Sequence, residues 1–174
     1  TGQESQIAPR RIDVSQREVR VGTTEPRPER YAAMFNCLRV FPDGPDHVAP
    51  VAVENNVFIG IHPDDPPVPM LAGVPRCIFG NFEGYKRALE IADSTHVGVC
   101  FCVGTWLEGG ELMGADVVPA IRYFGERGKI WKVHFRNMSA PLPHFVETFV
   151  DNGYFDMYQA MKALREVNFD GIII

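Results

Sequence analysis

The segment VGVCFC, Val97–Cys102, is an uncharged run of six residues and reads as a short strand buried in the core. Three other stretches repeat the idea: VFIGIH at 57–62, IWKVHF at 130–135 and FDGIII at 169–174. Their ends at 62, 102, 134 and 174 recur at intervals of 40, 32 and 40 residues. Amphipathic helical patterns lie between them. One starts near Asn81 and carries Phe82, Tyr85 and Leu89 on one face. A second follows Asp116 with Val117, Ile121 and Phe124. A third follows Asp156, where Gln159 three residues on suggests a capping box, and carries Met157, Met161 and Leu164. Strand and helix alternating at this period mean βα units around a parallel sheet.

Such strands belong to a doubly wound sheet or to a barrel. No glycine-rich G-x-G-x-x-G turn follows the first strand, so the dinucleotide-binding fold is disfavoured and a barrel fits better. A complete (β/α)8 TIM barrel takes about 250 residues. The fold expected is therefore α/β, a TIM barrel represented by an incomplete set of βα units, with material missing before and after. Residues 31–174 form its single domain. Residues 1–30 hold six of the seventeen basic residues and few apolar ones, and read as a polar arm or long loop. That arm could also serve as a subunit contact or a substrate-covering loop, and a homo-oligomer is left open. Within 31–41, Tyr31, Met34, Phe35, Leu38 and Phe41 have helical spacing, and a second short helical stretch near 48–53 carries Pro50.

Composition narrows the function. With 45% apolar residues in 174, the chain can bury a real core, and its net charge of −5 argues against a nucleic-acid partner. No apolar run is long enough for a membrane span. Cys37, Cys77, Cys100 and Cys102 follow neither a disulfide framework nor a zinc-binding CxxC pattern, and no export signal is visible. Reduced thiols in a cytoplasmic protein are expected.

Side-chain alternation gives the candidate site. In the first strand Phe58, Gly60 and His62 share a face. In the second, Gly98, Cys100 and Cys102 do, and in the third, Ile130, Lys132, His134 and Arg136 do. Placing these sets inside the barrel brings His62, Cys102 and His134 to the C-terminal ends of three successive strands, the rim where barrel enzymes build active sites. Two imidazoles and a thiol converging there suggest a transition-metal site. A strand-end histidine is more often hydrogen-bonded filler, and a buried cysteine more often a small hydrophobe; three coinciding shifts the balance. Cys100 lies one pleat deeper and is kept as core. Asp64, Asp65, Arg136 and Asn137 surround the trio and could bind a polyhydroxy acid, with Arg136 facing its carboxylate. The bland alternative for Arg136 is a salt bridge to one of those aspartates.

The motifs HPDDPP (62–67), GVPR (73–76), FCVGT (101–105), VHFRN (133–137) and FDMYQAMKAL (155–164) together resemble the mannonate dehydratase family, in order and at similar spacing. The resemblance covers roughly Tyr31 to the C-terminus. It implies a barrel related to xylose-isomerase-like enzymes and dehydration of D-mannonate to 2-keto-3-deoxy-D-gluconate with Mn²⁺ or Fe²⁺. It also implies that His62, Cys102 and His134 are metal ligands, with a fourth, an aspartate, expected just beyond Ile174. This chain has HFRN where many members have HLRN, and its 139–150 loop departs further. A metal-dependent sugar isomerase or epimerase on the same barrel is the alternative activity, and a non-catalytic barrel relative the alternative class.

Overall fold

Parallel strands lying side by side in chain order are the organising feature of the computed structural model, which describes residues 32–35, 44–76 and 79–174. Five of them, β1 (Ala32–Phe35), β2 (Phe58–Ile61), β5 (Val97–Cys102), β6 (Ile130–His134) and β9 (Ile172–Ile173), form one sheet in the order β1-β2-β5-β6-β9. Every pairing in it is parallel. The helices α1 (Gly44–Glu54), α2 (Phe82–Ala92), α3 (Val103–Gly109), α4 (Val117–Glu126) and α5 (Met157–Glu166) fill the crossovers. Two small antiparallel hairpins, β3 (Met70–Leu71) with β4 (Val74–Pro75) and β7 (Asn137–Met138) with β8 (Glu147–Thr148), decorate the segments after β2 and β6. A sheet wound steadily in one direction with a helix between strands is the βα-barrel pattern.

Helices α2, α4 and α5 begin where the sequence places them, with two differences in how they are capped, whereas α3 falls where no helix is expected. The Asn81 side chain accepts from the Gly84 N–H at 2.9 Å and starts α2. Asp116 occupies the cap position of α4 without making a side-chain capping bond. Asp156 accepts from the Tyr158 N–H at 3.0 Å, but Gln159 turns to the Asp156 carboxylate at 3.3 Å rather than to backbone, so only half of a capping box forms. Met157 and Leu164 are buried on α5, whereas Met161 lies at the edge of that face and is 41% exposed.

Two expectations need correction. The helical spacing from Tyr31 to Phe41 gives way to β1 over Ala32–Phe35, because pairing with Phe58–Ile61 claims the backbone of this short apolar run. The rest of that stretch, like the arm over 1–30 and Cys37 and Cys77, lies outside the described residues. The second correction concerns β6. Val99 pairs with Ile130 but Cys100 pairs with Lys132, so a bulge leaves Trp131 as the extra residue. Ile130 consequently joins the helix-side core beside Val99. Trp131 goes to the other face, edge-on to Phe58 with ring centroids 5.2 Å apart. Beyond the bulge the alternation resumes as expected, with Val133 fully buried and His134 opposite Cys102.

An aromatic cluster anchors the region beneath the rim. Trp106 on α3 stacks on Phe101 at 4.6 Å and approaches Tyr85 at 5.7 Å and Phe124 at 6.3 Å, while its Nε1–H donates to the Ala115 carbonyl at 2.8 Å. Side chains of this kind bury on the order of 150–250 Å² each, roughly 4–6 kcal/mol of apolar transfer at about 25 cal/mol per Å². That packing fixes α3 immediately after Cys102.

Gly98 is the point where the barrel interior tolerates no side chain. A Cβ there would overlap the Trp131 indole and approach the Lys129 carbonyl oxygen at 2.5 Å. Gly98→Ala is expected to lower the stability of the full-length protein by about 1–3 kcal/mol in a denaturant titration. A loss below about 0.5 kcal/mol would contradict this packing.

Candidate metal centre

His62, Cys102 and His134 offer one ligand atom each, and the three atoms lie within 4.8 Å of one another. Three separate elements deliver them. β2 ends at Ile61, and His62 leaves the sheet directly after it. Cys102 closes β5 and His134 closes β6, in register with each other. Residues that share a face at the carboxyl ends of neighbouring parallel strands converge in this way because the strands are only about 4.8 Å apart.

The local chemistry prepares these groups to be ligands. The His62 Nδ1–H donates to the Pro63 carbonyl at 2.8 Å, so Nε2 carries the lone pair in the neutral ring and a second N–H, able to bond the Cys102 sulfur, in the charged one. That Nε2 lies 3.1 Å from His134 Nδ1. Two imidazole nitrogens at about 2.0–2.1 Å from one ion, subtending roughly a right angle, would be about 3 Å apart, so this pair has the spacing a shared cation needs. On the other side of that ring, His134 Nε2 lies 3.5 Å from Cys100 Sγ, within reach of a hydrogen bond to the thiol. Cys100 therefore supports the ring of a ligand from one pleat below.

The two thiols have opposite electrostatics. Burial pushes Cys100 up to about 12. Burial also acts to raise Cys102, but hydrogen bonds from His134, His62 and Thr105, together with the nearby Arg136 charge, pull it down to about 5. The Thr105 N–H and hydroxyl both reach its sulfur, at 3.4 and 3.1 Å, so the thiolate caps the first turn of α3. For His62, burial opposes the charged form, yet the hydrogen bond and charge of Cys102 and the Pro63 carbonyl leave its pKa raised. A thiolate beside two imidazoles is a donor set suited to a divalent transition metal.

Around this trio the four other candidates have different fates. Arg136 becomes a hub: Nη2 lies 2.6 Å from Asp65 Oδ2, and Nη1 lies 2.8 Å from Glu108 Oε1 and 3.1 Å from Glu147 Oε2. Nη2 also donates to the Thr105 hydroxyl oxygen at 3.1 Å. The salt bridge to an aspartate weighed as the plain alternative for Arg136 is thus present. Asp65 stays partly open to solvent at the rim, with its side chain 44% exposed. Asp64 faces Arg76 at 3.7 Å, and Arg76 also donates to the Asp65 carbonyl at 3.1 Å, which braces the acidic turn. Asn137 is fully buried and committed elsewhere: its amide donates to the Val150 and Phe155 carbonyls at 3.1 and 2.8 Å, and its Oδ1 accepts from the Met138 N–H. It ties down the 150–155 segment rather than facing the trio.

Glu108 and Glu147 are the residues that sequence reasoning passes over. Glu108 is fully buried on α3, one helical turn after Gly104, and burial followed by the competing influences of Arg136 and Asp65 leaves its carboxyl raised to about 7. A signal for it existed in VGTWLEGG, where one carboxylate interrupts an otherwise uncharged stretch. A groove of about 650 Å³, lined by Phe135, Tyr154 and Tyr158 among others, includes none of the three clustered residues.

Part of a xylose-isomerase-like βα barrel with a His-Cys-His cluster at its C-terminal rim is the class that this fold and site define. The chain belongs to the D-mannonate dehydratase (UxuA) family, whose model matches residues 30–174. It is 36% identical over 131 residues to a mannonate dehydratase of Thermotoga petrophila, an alignment covering 74% of this chain and 35% of that one. Its structure is similar to the crystal structure of mannonate dehydratase from Streptococcus suis serotype 2, with a TM-score of 0.64 and 34% identity over 71% of this chain and 35% of that one. A xylose isomerase domain protein from Planctomyces limnophilus shares the fold at 11% identity, with a TM-score of 0.53 over 74% of this chain and 41% of that one. The chain spans about a third of the length of the curated relatives it matches, 35% in the Thermotoga case. Among the described residues no helix is long and apolar enough to cross a membrane.

The contrast between the thiols yields a direct test. In metal-free full-length protein, thiolate absorbance near 240 nm is expected to show a step centred near pH 5 that is absent from Cys102→Ala. Cys100 is expected to stay a neutral thiol up to about pH 12. A Cys102 step at the ordinary thiol position, about 8.5, would contradict the site's electrostatics.

Proposed function

We propose that the full-length protein is a metal-dependent mannonate dehydratase, converting D-mannonate to 2-keto-3-deoxy-D-gluconate and water in hexuronate catabolism. The observation that carries this is the convergence of His62, Cys102 and His134 within 4.8 Å at a barrel rim, in a chain of this family. The metal is Mn²⁺ or Fe²⁺, and the three side chains hold it. Net charge supports a cation there. A Cys102 thiolate together with Asp64, Asp65 and Glu147 outweighs the Arg76 and Arg136 cations nearby, so an anionic sugar acid meets a repulsive rim unless a divalent ion offsets it. When bound, such an ion supplies Lewis-acid polarisation of substrate oxygens.

The protein's own contribution is to hold those groups ready. The Pro63 carbonyl sets the His62 tautomer, Cys100 steadies His134, and Thr105 and Arg136 keep Cys102 as a thiolate. In this reading the substrate lies on the side of Asp64, Asp65 and Arg136, and the half-exposed Asp65 carboxylate accepts from its hydroxyls. Asn137 serves indirectly by holding the 150–155 segment. The dehydration removes the proton α to the carboxylate and expels the β-hydroxyl, and the resulting enol tautomerises to the keto acid. The reaction is assigned to the cytoplasm, where thiols such as Cys100 and Cys102 stay reduced.

Full-length protein supplied with Mn²⁺ and D-mannonate is expected to form a 2-keto acid, followed by a colorimetric or coupled assay. Cys102→Ala is expected to lose at least about 100-fold in turnover through lost metal, in line with removing a ligand rather than a supporting group. Absence of product from the wild type, or full activity of Cys102→Ala after metal is stripped, would overturn the reading.

A further inference from the structure

The dehydratase reading leaves Glu108 without a task, although it is the most completely buried charge-bearing side chain near the centre. It is 0% exposed, and both its carboxylate oxygens are buried without a hydrogen-bond partner among the described residues, so an ion pair is what holds its charge. A carboxylate is not buried cheaply unless a cation meets it, and here the Arg136 guanidinium does so, with Nη1 2.8 Å from Oε1. The guanidinium is held from the other end by Asp65 at 2.6 Å, and between them it donates to the Thr105 hydroxyl oxygen, whose own hydrogen is directed at the Cys102 sulfur at 3.1 Å. The backbone is shaped to admit this arrangement. Gly104 lies four residues before Glu108 on α3, and a Cβ there would overlap the Arg136 side chain. Gly104 and Glu108 therefore form one helical face, the first clearing room for the arginine stem and the second gripping its head.

We propose that Glu108 is a positioning residue: it holds the Arg136 guanidinium against the Thr105 hydroxyl that bonds the Cys102 sulfur, and so sets how tightly the His62–Cys102–His134 centre retains a divalent ion. This rests on the metal-centre reading above. Glu108 touches neither the ion nor the substrate; its influence passes through Arg136. Asp65 alone cannot substitute, because its side chain is 44% exposed and its hold on Arg136 is correspondingly exposed to water. Partners of ligating groups typically change metal affinity by about 10–100-fold when removed.

The test is calorimetric titration of Mn²⁺ into metal-free full-length protein, comparing wild type, Glu108→Gln, Arg136→Met and the double variant, with thermal melting followed in parallel. Glu108→Gln, which preserves shape, is expected to weaken Mn²⁺ binding by about tenfold or more. In the Arg136→Met background the same change is expected to matter less than about threefold, since the path is already cut. Gly104→Ala, which displaces Arg136 without altering Glu108, is expected to reproduce the loss. A purely structural Glu108 would lower the melting temperature and leave Mn²⁺ affinity within about threefold of wild type, and that result overturns the proposal. An undiminished effect of Glu108→Gln without Arg136 overturns it too. Wild-type protein that binds no Mn²⁺ overturns this and the metal-centre reading together. Glu108-dependent Mn²⁺ binding in a protein that leaves D-mannonate unchanged supports the proposal and overturns only the dehydratase reading.

Discussion

A thiolate held inside a protein at the end of an apolar strand is the condition on which the rest of this site depends. All six residues of Val97–Cys102 are buried, and the last of them carries a sulfur whose burial alone would keep it protonated. Four neighbours reverse that outcome: two imidazoles from adjacent strands, the first turn of the following helix through Thr105, and the Arg136 guanidinium. Each neighbour is in turn fixed by something else. Pro63 orients His62, Cys100 supports His134, aromatic packing around Trp106 pins α3, and Glu108 with Asp65 grips Arg136. The anionic sulfur and its surrounding carboxylates give the rim the negative character on which the proposed cation would rely.

The fold explains how residues so far apart in sequence meet. Parallel strands in consecutive order place each strand's carboxyl end beside the next, so His62, Cys102 and His134 become neighbours without any long-range loop. The crossover helices bear most of the hydrophobic load on the outside, while the inner face carries small and polar residues together with the Phe58–Trp131 pair. Gly98 gives way to Trp131, and Gly104 gives way to Arg136. Both glycines are absences that let a large side chain from β6 or its exit lie against the preceding unit.

Much of this was legible from residue order alone. The strand pattern, its period and the side-chain alternation led to a barrel and to the same three residues that the structure draws together. What escaped depended on registration between strands. One bulge exchanged the faces of Ile130 and Trp131, and nothing within IWKVHF announces it. The run Ala32–Phe35 has a helix-compatible spacing, and only its pairing with β2 makes it a strand. Asn137 looks like a substrate contact by position, yet its amide is spent on backbone carbonyls from a loop more than ten residues away. Glu108 becomes visible only when Arg136, arriving from a different βα unit, is seen to land on it.

The claim at the centre of this account is that a sulfur and two imidazole nitrogens of this chain hold one divalent ion. X-ray absorption at the metal edge of the full-length protein loaded with Mn²⁺ measures that directly. The account predicts one sulfur scatterer and two imidazoles per ion, with the sulfur lost in Cys102→Ser. A shell of light atoms alone in the wild type, unchanged by Cys102→Ser, would contradict it.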